Sequence, residues 1–260
     1  LLRLSLKTVK SEPASDLFLK VLKGHRQWLS VKEICDRLKS AGFDAVLAGG
    51  GVRDALLGDL PKDLDVATSA RPEQVESLFP KTIAVGKSFG VIVVVTDEGP
   101  IEVATFRKDG AYEDGRRPME VTFSGREEDA KRRDFTVNAL FYDPVREEVI
   151  DYVEGQADLA AKTLRVVGEP EKRFSEDRLR ILRAIRFSGQ LDFAIDPATE
   201  KAIREFRPRL EGVSRERIRD EVDKILDAKA AARSFELLSK LELGESVFED
   251  WAGLVLPPHA

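Results

Sequence analysis

The stretch that most constrains this chain is residues 43–68, FDAVLAGGGVRDALLGDLPKDLDVAT. FDAVLA is a short apolar run, sized for a buried strand. It leads straight into Gly49, Gly50 and Gly51, and VRDALLG behind them has a helical pattern that ends at Gly58. DLDVAT, over 63–68, reads as a second strand. A strand, a glycine turn and a helix start at Val52 place backbone N–H groups where an anion can bind. Glycine lets that backbone approach with no Cβ in the way. Arg53, in the first helical turn, adds a fixed cation. Residues i and i+2 of a strand face one side, so Asp63 and Asp65 project together while Leu64 points into the core. Two like charges held close are unfavourable without a cation between them. Hard divalent ions such as magnesium take one or two carboxylates plus substrate phosphates. The bland alternative is a tight turn followed by a solvated loop. If the two strands pair side by side, an anion site and a cation site adjoin, as a nucleoside triphosphate with bound magnesium requires.

The rest of the chain supplies the frame. LFLKVL and VKEICDRLKSAG, within 16–41, read as helices with Gly42 as the stop. PEQVESLF is a helix with Pro72 in its first turn, capped by Ser69 or a neighbour. IAVG, VIVVV and IEVATFR are three strands separated by KSFG and DEGP turns. In IEVATFR, Glu102 shares a face with Ala104 and Phe106. It is either a third carboxylate beside the aspartate pair or an exposed edge-strand charge. Arg107 ends that strand, in reach of phosphates. KDGAYEDGRRP (108–118) is a polar loop, MEVTF a strand, REEDAKRRDFTVNALFY largely helical, EEVIDYV a strand and QADLAAK a helix. From Lys172 the pattern is almost wholly helical, in RFSEDRLRILRAIRF, ATEKAIREF, SRERIRDEVDKILDA and ARSFELLSKL. The fold class is therefore α+β, a mixed sheet flanked by helices followed by an all-α part. The expected segments are 1–42 as N-terminal helices, 43–170 as the head, 171–228 as a helical neck and 229–260 as the start of a helical body.

Composition removes several chemistries. The lone Cys35 lies on the Val31, Ile34, Cys35, Leu38 stripe of a helix and reads as a buried thiol, which leaves neither a disulfide framework nor a multi-cysteine zinc site within the chain. His25 and His259 are the only histidines, and neither sits in a ligand cluster. No apolar run reaches membrane-span length, and LLRLSLK is too short for a secretory leader, so a cytoplasmic protein with no membrane partner is expected. The net charge of −5 does not mark a nucleic-acid binder. Basic residues nevertheless cluster in KRR (131–133) and along 173–186, and a local basic cleft suffices to bind RNA.

The motifs carry a resemblance. GGGVRDALLGDLPKDLDVAT is similar to the signature of the nucleotidyltransferase superfamily related to DNA polymerase beta, and more narrowly to the head of class II tRNA nucleotidyltransferases (CCA-adding enzymes) and bacterial poly(A) polymerases. RRDFTVNAL (132–140) resembles the family's second motif, which implies ribose contacts from Arg133 and Asp134 and a nucleotide contact from Asn138. DYVEGQADL (151–159) resembles the third, a strand–turn–helix segment, but departs from its proline- and glycine-rich form at Tyr152–Glu154. SEDRLRILRAIRF (175–187) resembles the fourth, in which an Asp and an Arg read the Watson–Crick edge of the incoming base. They map to Asp177 and Arg180. On one helix, Asp177, Arg180, Arg183 and Phe187 would form a stripe, and the bland reading of Asp177–Arg180 is a surface ion pair worth about 0.2–0.5 kcal/mol. SRERIRDEVDKIL (214–226) resembles the fifth motif, a neck helix.

The resemblance implies template-independent transfer from CTP and ATP to an RNA 3′ end, with two magnesium ions on Asp63 and Asp65. Gly50, Gly51 and Arg53 would hold phosphates. VGKSFGVIVVV and the 108–118 loop favour addition of CCA, or its terminal A, to tRNA. Poly(A) addition is the alternative, and a non-catalytic nucleotide- or RNA-binding module the remote one. A longer helical body and tail usually follow the neck in this family, whereas here residues 229–260 follow it.

Overall fold

The computed structural model describes residues 10–110, 121–226, 231–248 and 251 of the chain. They form two compact units that divide between Ala160 and Ala161.

The first unit is built on an eight-stranded mixed sheet. In chain order its elements are β1 (Lys10–Pro13), α1 (Asp16–Lys23), α2 (Trp28–Ser40), β2 (Ala45–Ala48), α3 (Gly50–Leu57), β3 (Asp65–Thr68), α4 (Pro72–Leu78), β4 (Thr82–Gly86), β5 (Val91–Thr96) and β6 (Gly99–Thr105). There follow β7 (Arg107–Asp109), β8 (Val121–Phe123), α5 (Arg126–Arg132), β9 (Phe141–Asp143), β10 (Glu148–Asp151) and α6 (Gly155–Ala160). The strand order is β1-β10-β9-β2-β3-β6-β5-β4, with β7 and β8 as a separate hairpin. β2 runs antiparallel to β3, with Ala48 opposite Asp65. β3 runs parallel to β6, with Val66 beside Val103.

The sequence pattern explains the centre of this sheet. All four residues of β2 are buried, so it is a continuous apolar run rather than an alternating one. The α2 stripe of Val31, Ile34, Cys35 and Leu38 is buried against it. Burial pushes the Cys35 thiol well above its ordinary range, so it is an inert core group. His25 is also buried, and its Nδ1 accepts from the Gln27 amide. No described helix is long and apolar enough to cross a membrane.

Several boundaries differ from expectation. α1 and α2 belong to the first unit rather than to a separate N-terminal segment: Phe18 meets Tyr142 edge-on at 4.7 Å between ring centroids, and Trp28 lies 6.3 Å from the same ring. The division also falls earlier than residue 170. REEDAKRRDFTVNALFY is not one helical stretch. α5 stops at Arg132, a single 3-10 turn covers Thr136–Asn138, and Phe141 and Tyr142 enter the sheet beside β2. Both aromatics are fully buried, and packing of that kind outweighs the helical spacing of their neighbours. β1 was not anticipated. It pairs with β10 from Lys10 opposite Asp151 to Pro13 opposite Glu148. Most of the polar loop (111–118) lies outside the described residues.

The second unit is helical apart from a two-strand parallel pair, β11 (Thr163–Leu164) with β12 (Ala194–Ile195). Its helices are α7 (Pro170–Glu176), α8 (Leu179–Leu191), α9 (Pro197–Phe206), α10 (Arg215–Leu226), α11 (Ala231–Lys240) and α12 (Gly244–Val247). α8 is the central helix and packs on α10 and α11, burying Ile181, Leu182, Ala184 and Ile185. RFSEDRLRILRAIRF is two helices, because the chain turns extended at Asp177 (φ −148°).

Candidate active site

The glycine turn does two separate jobs. Gly49 has φ +76°, a conformation L side chains rarely adopt, and a Cβ there would lie 2.9 Å from Arg133 Nη1. Its amide donates to the Leu140 carbonyl, which ties the end of β2 to the strand beside it. The helix begins at Gly50 rather than Val52, so two of the glycines form its first turn, where N–H groups lack intrahelical acceptors. A Cβ on Gly51 would lie 2.9 Å from the Asp63 carbonyl oxygen and 3.1 Å from Leu64. Gly51 is therefore the position that lets α3 seat on the Asp63–Leu64 segment. A Cβ on Gly50 would meet only the Arg53 guanidinium, at ordinary contact distance.

That seating brings the glycine turn and the aspartates together. Leu64 is buried and Asp63 and Asp65 face solvent, as the alternation requires. Asp63 lies just before β3 rather than in it. One step back along the β3–β6 register sets Asp65 beside Glu102. The surrounding protein strips water from the Asp65 carboxyl, and Glu102 and Asp63 add like charge, so its pKa is raised to about 6 despite the opposing pull of Arg133. Glu102 is thus an electrostatic neighbour of the pair. Among the described residues no group of three His, Cys, Asp or Glu is gathered to hold a metal by itself. An all-oxygen donor set of two carboxylates, crowded by a third, fits magnesium that takes its remaining ligands from phosphate and water.

Arg133 acts on this pair, and it and the other arginines of the unit are held by a chain of contacts. Arg53 is 8% exposed. Its Nε donates to Asp54 Oδ1 at 2.8 Å, and its Nη1 donates to Asn138 Oδ1. Asn138 Nδ2 in turn donates to Asp134 Oδ1 at 3.2 Å, and the same oxygen accepts from the Phe135 amide. Arg133 donates from Nη1 to the Asn138 carbonyl at 3.2 Å and lies over the Phe141 ring at 5.1 Å. The turn carrying Asn138 is braced by α6, where Asp158 accepts from the Thr136 hydroxyl and Gly155 packs on the Thr136 carbonyl. Arg107 starts β7. Its Nη1 donates to the Phe89 carbonyl, and its guanidinium lies 6.0 Å from that ring.

In the second unit, Asp177 is not on a helix stripe with Arg180. Its carboxylate accepts from the Leu179 amide and from Arg217 Nη2 at 3.1 and 2.9 Å. Arg180 is buried, with Nη1 donating to Glu176 Oε2 at 2.8 Å and to the Arg173 carbonyl at 3.0 Å. Arg183 stacks over Phe187 and lies 3.8 Å from Glu221, a buried carboxylate that also accepts from Arg186.

Reasoning from residues alone missed the groups that hold these side chains: Asp54, Asp129, Glu176 and Arg217. Asp129 was readable in principle. It stands three and four residues before Arg132 and Arg133, the spacing of helical ion pairs. Arg217 lies 40 residues from Asp177, a pairing that only the tertiary fold creates.

A mixed sheet with a glycine-led helix seated on paired aspartates, followed by a helical unit, is the fold class of the polymerase-beta-like nucleotidyltransferases. Residues 45–165 match the family model described as "Poly A polymerase head domain", and residues 192–254 match "Probable RNA and SrmB- binding site of polymerase A". The chain belongs to the family of class II tRNA nucleotidyltransferases and bacterial poly(A) polymerases. It is 48% identical over 211 residues to a CCA-adding enzyme of Geobacillus stearothermophilus, covering 81% of this chain and 52% of that protein. A Bacillus subtilis CCA-adding enzyme is 44% identical over 211 residues, covering 81% and 53%. Among solved structures, the Bacillus stearothermophilus CCA-adding enzyme in complex with CTP superposes with a TM-score of 0.78 at 42% identity, over 92% of this chain and 55% of that one. The Thermotoga maritima CCA-adding enzyme complexed with tRNA_CCA gives 0.77 at 25% identity, over 95% and 58%. The chain spans about half the length of the curated relatives it matches.

Proposed function

We propose that this chain carries the head and neck of a cytoplasmic enzyme that adds CCA to tRNA 3′ ends from CTP and ATP. The single observation that carries this reading is the seating of the Gly50–Gly51 helix start directly on the Asp63–Leu64 segment, which joins a phosphate cradle to a carboxylate pair. The nature of the relatives supports it: solved relatives are CCA-adding enzymes complexed with CTP, with ATP and with tRNA_CCA.

In the proposed reaction the RNA 3′-hydroxyl oxygen loses its proton to solvent and forms a bond to the α-phosphorus, the bond from that phosphorus to the bridging oxygen breaks, and pyrophosphate leaves. Asp63 and Asp65 would hold two magnesium ions beside the glycine turn, with Glu102 shaping the field around Asp65. When bound, magnesium supplies Lewis-acid activation of the hydroxyl and stabilises the leaving pyrophosphate. The Gly50 and Gly51 amides orient the triphosphate. Arg53, held by Asp54 and Asn138, fixes the turn in place, and Arg107 adds positive charge at the end of the sheet. Arg133, Asp134 and Asn138 would take the nucleotide sugar. In the second unit Asp177, Arg180 and Arg183 would supply acceptor and donor groups that read the base edge.

The test offers tRNA ending before CCA, tRNA ending in CC, and oligo(A), each with CTP, ATP or both. Two C followed by one A is expected. A alone on the CC end would identify A addition, and long A tracts on any RNA would identify a poly(A) polymerase. A further expected result concerns Gly51. Gly51→Ala pushes a methyl group into the Asp63 carbonyl at 2.9 Å, so α3 must lift from the aspartates. Incorporation should fall at least about tenfold, as loss of one productive alignment costs in other enzymes, measured as kcat/KM for CTP.

A further inference from the structure

Asp129 is a buried acid outside the motifs used above, 1% exposed in the first turn of α5. Its two oxygens are divided between different tasks. Oδ1 accepts from Arg132 Nε at 2.8 Å and from the Arg107 amide at 3.2 Å, which locks α5 to the start of β7. Oδ2 accepts from Arg133 Nη2 at 3.1 Å and Nε at 3.3 Å. Burial pushes the Asp129 carboxyl up, but Arg133 and Arg132 together hold it below the usual carboxylate range. The far side of the Arg133 guanidinium is equally constrained. It donates to the Asn138 carbonyl, lies over Phe141, and occupies the space beside Gly49 that a Cβ would fill.

We propose that Asp129 is a positioning residue that fixes the Arg133 guanidinium beside the glycine turn and so sets the preference for ribonucleotides over 2′-deoxyribonucleotides. The inference rests on the reading of Arg133 and Asp134 as sugar contacts. A guanidinium offers donors in a rigid fork, and a fork held in one place rewards a 2′-hydroxyl only where its geometry matches. A guanidinium released from Oδ2 follows either sugar. Asp129→Asn should release it selectively. An amide has one acceptor oxygen and one donor NH2. With two donors already meeting the Oδ1 position, the oxygen stays there and the NH2 faces Arg133.

The experiment is titration calorimetry of CTP and 2′-deoxy-CTP, with magnesium, on the wild-type chain, Asp129→Asn, Asp129→Glu and Arg132→Met, with the melting temperature of each. Arg132→Met is the structural control, because it removes a partner of the same carboxylate while leaving Oδ2 to Arg133. The wild-type chain should prefer CTP. Asp129→Asn should reduce the ratio of the two affinities about tenfold, the loss of roughly one charge-assisted hydrogen bond, whereas Arg132→Met should lower the melting temperature and keep the ratio. Should Asp129→Asn fail to fold, Asp129→Glu retains the charge but displaces the fork, and the same reduced ratio is expected. A wild-type preference that survives in the folded Asp129 variants overturns this proposal alone. Equal affinity of the wild-type chain for both nucleotides overturns it together with the sugar-contact reading.

Discussion

Asp63→Ala and Asp65→Ala should each reduce nucleotide incorporation by at least about a thousandfold, a loss of roughly 4 kcal/mol in transition-state stabilisation, while leaving the fold intact. The two halves of this expectation have one cause. The aspartates face solvent on a segment whose packing is supplied by Leu64, so their removal opens no cavity. The folded protein also holds them under like-charge repulsion, since Asp65 is raised to about 6 by loss of hydration together with Glu102 and Asp63. A carboxyl whose folded pKa lies above its unfolded one binds protons more readily when folded, so its ionisation opposes folding as pH rises from about 4 through 6. Asp65→Ala should accordingly melt no lower than wild type at pH 7, and any gain should vanish below about pH 4. Circular dichroism melting beside the incorporation assay checks both halves. Near-normal turnover in either variant would remove the aspartates from the chemistry.

The largest expected effect on stability comes from one methyl group. A Cβ on Gly155 would lie 2.3 Å from the Thr136 carbonyl oxygen and 3.0 Å from Leu140 Cδ2. The carbonyl is backbone, with its carbon at 2.9 Å, and it cannot swing away as a side-chain end could. Asp151 anchors the start of α6, accepting from the Val153 and Gln156 amides at 2.9 Å each. At the other end of the contact, Asp158 holds the Thr136 hydroxyl. Gly155→Ala must therefore push α6 off the Thr136–Asn138 turn and break a buried hydrogen bond. Overpacking of this kind costs about 3 kcal/mol, which lowers the melting temperature by roughly 10 °C in a unit of this size. Because Asn138 sits on the displaced turn and receives the Arg53 guanidinium, nucleotide affinity should fall as well. A melting temperature within about 2 °C of wild type would show that the contact is not tight.

The fold and the candidate site were legible to different degrees. The strand–glycine–helix–strand core of 43–68 could be read because each element announces itself locally: a continuous apolar run for β2, glycines where backbone must come close, and Leu64 buried between two solvent-facing aspartates. What could not be read was where one element yields to the next. Phe141 and Tyr142 follow a helical pattern yet enter the sheet, because the fold buries both rings. Asp177 carries helical spacing toward Arg180, but a break at that residue turns its carboxylate to Arg217. Within each unit the charged groups were legible as residues and not as a network, since the partners of Arg53 in the first and of Asp177 and Arg180 in the second depend on turns and distant elements. The same holds for the second glycine function. Sequence pointed to close approach by a ligand at the glycine turn, whereas at Gly51 the close approach is of the protein's own backbone.

On the proposed function, Asp63 and Asp65 and the Gly50–Gly51 turn form one magnesium–triphosphate site. Titration of CTP into the chain with and without magnesium tests it most directly. Wild type should bind at least about tenfold tighter with magnesium, and the Asp63→Ala, Asp65→Ala double variant should bind equally weakly in both conditions. A double variant that keeps the full magnesium-dependent gain would contradict the claim.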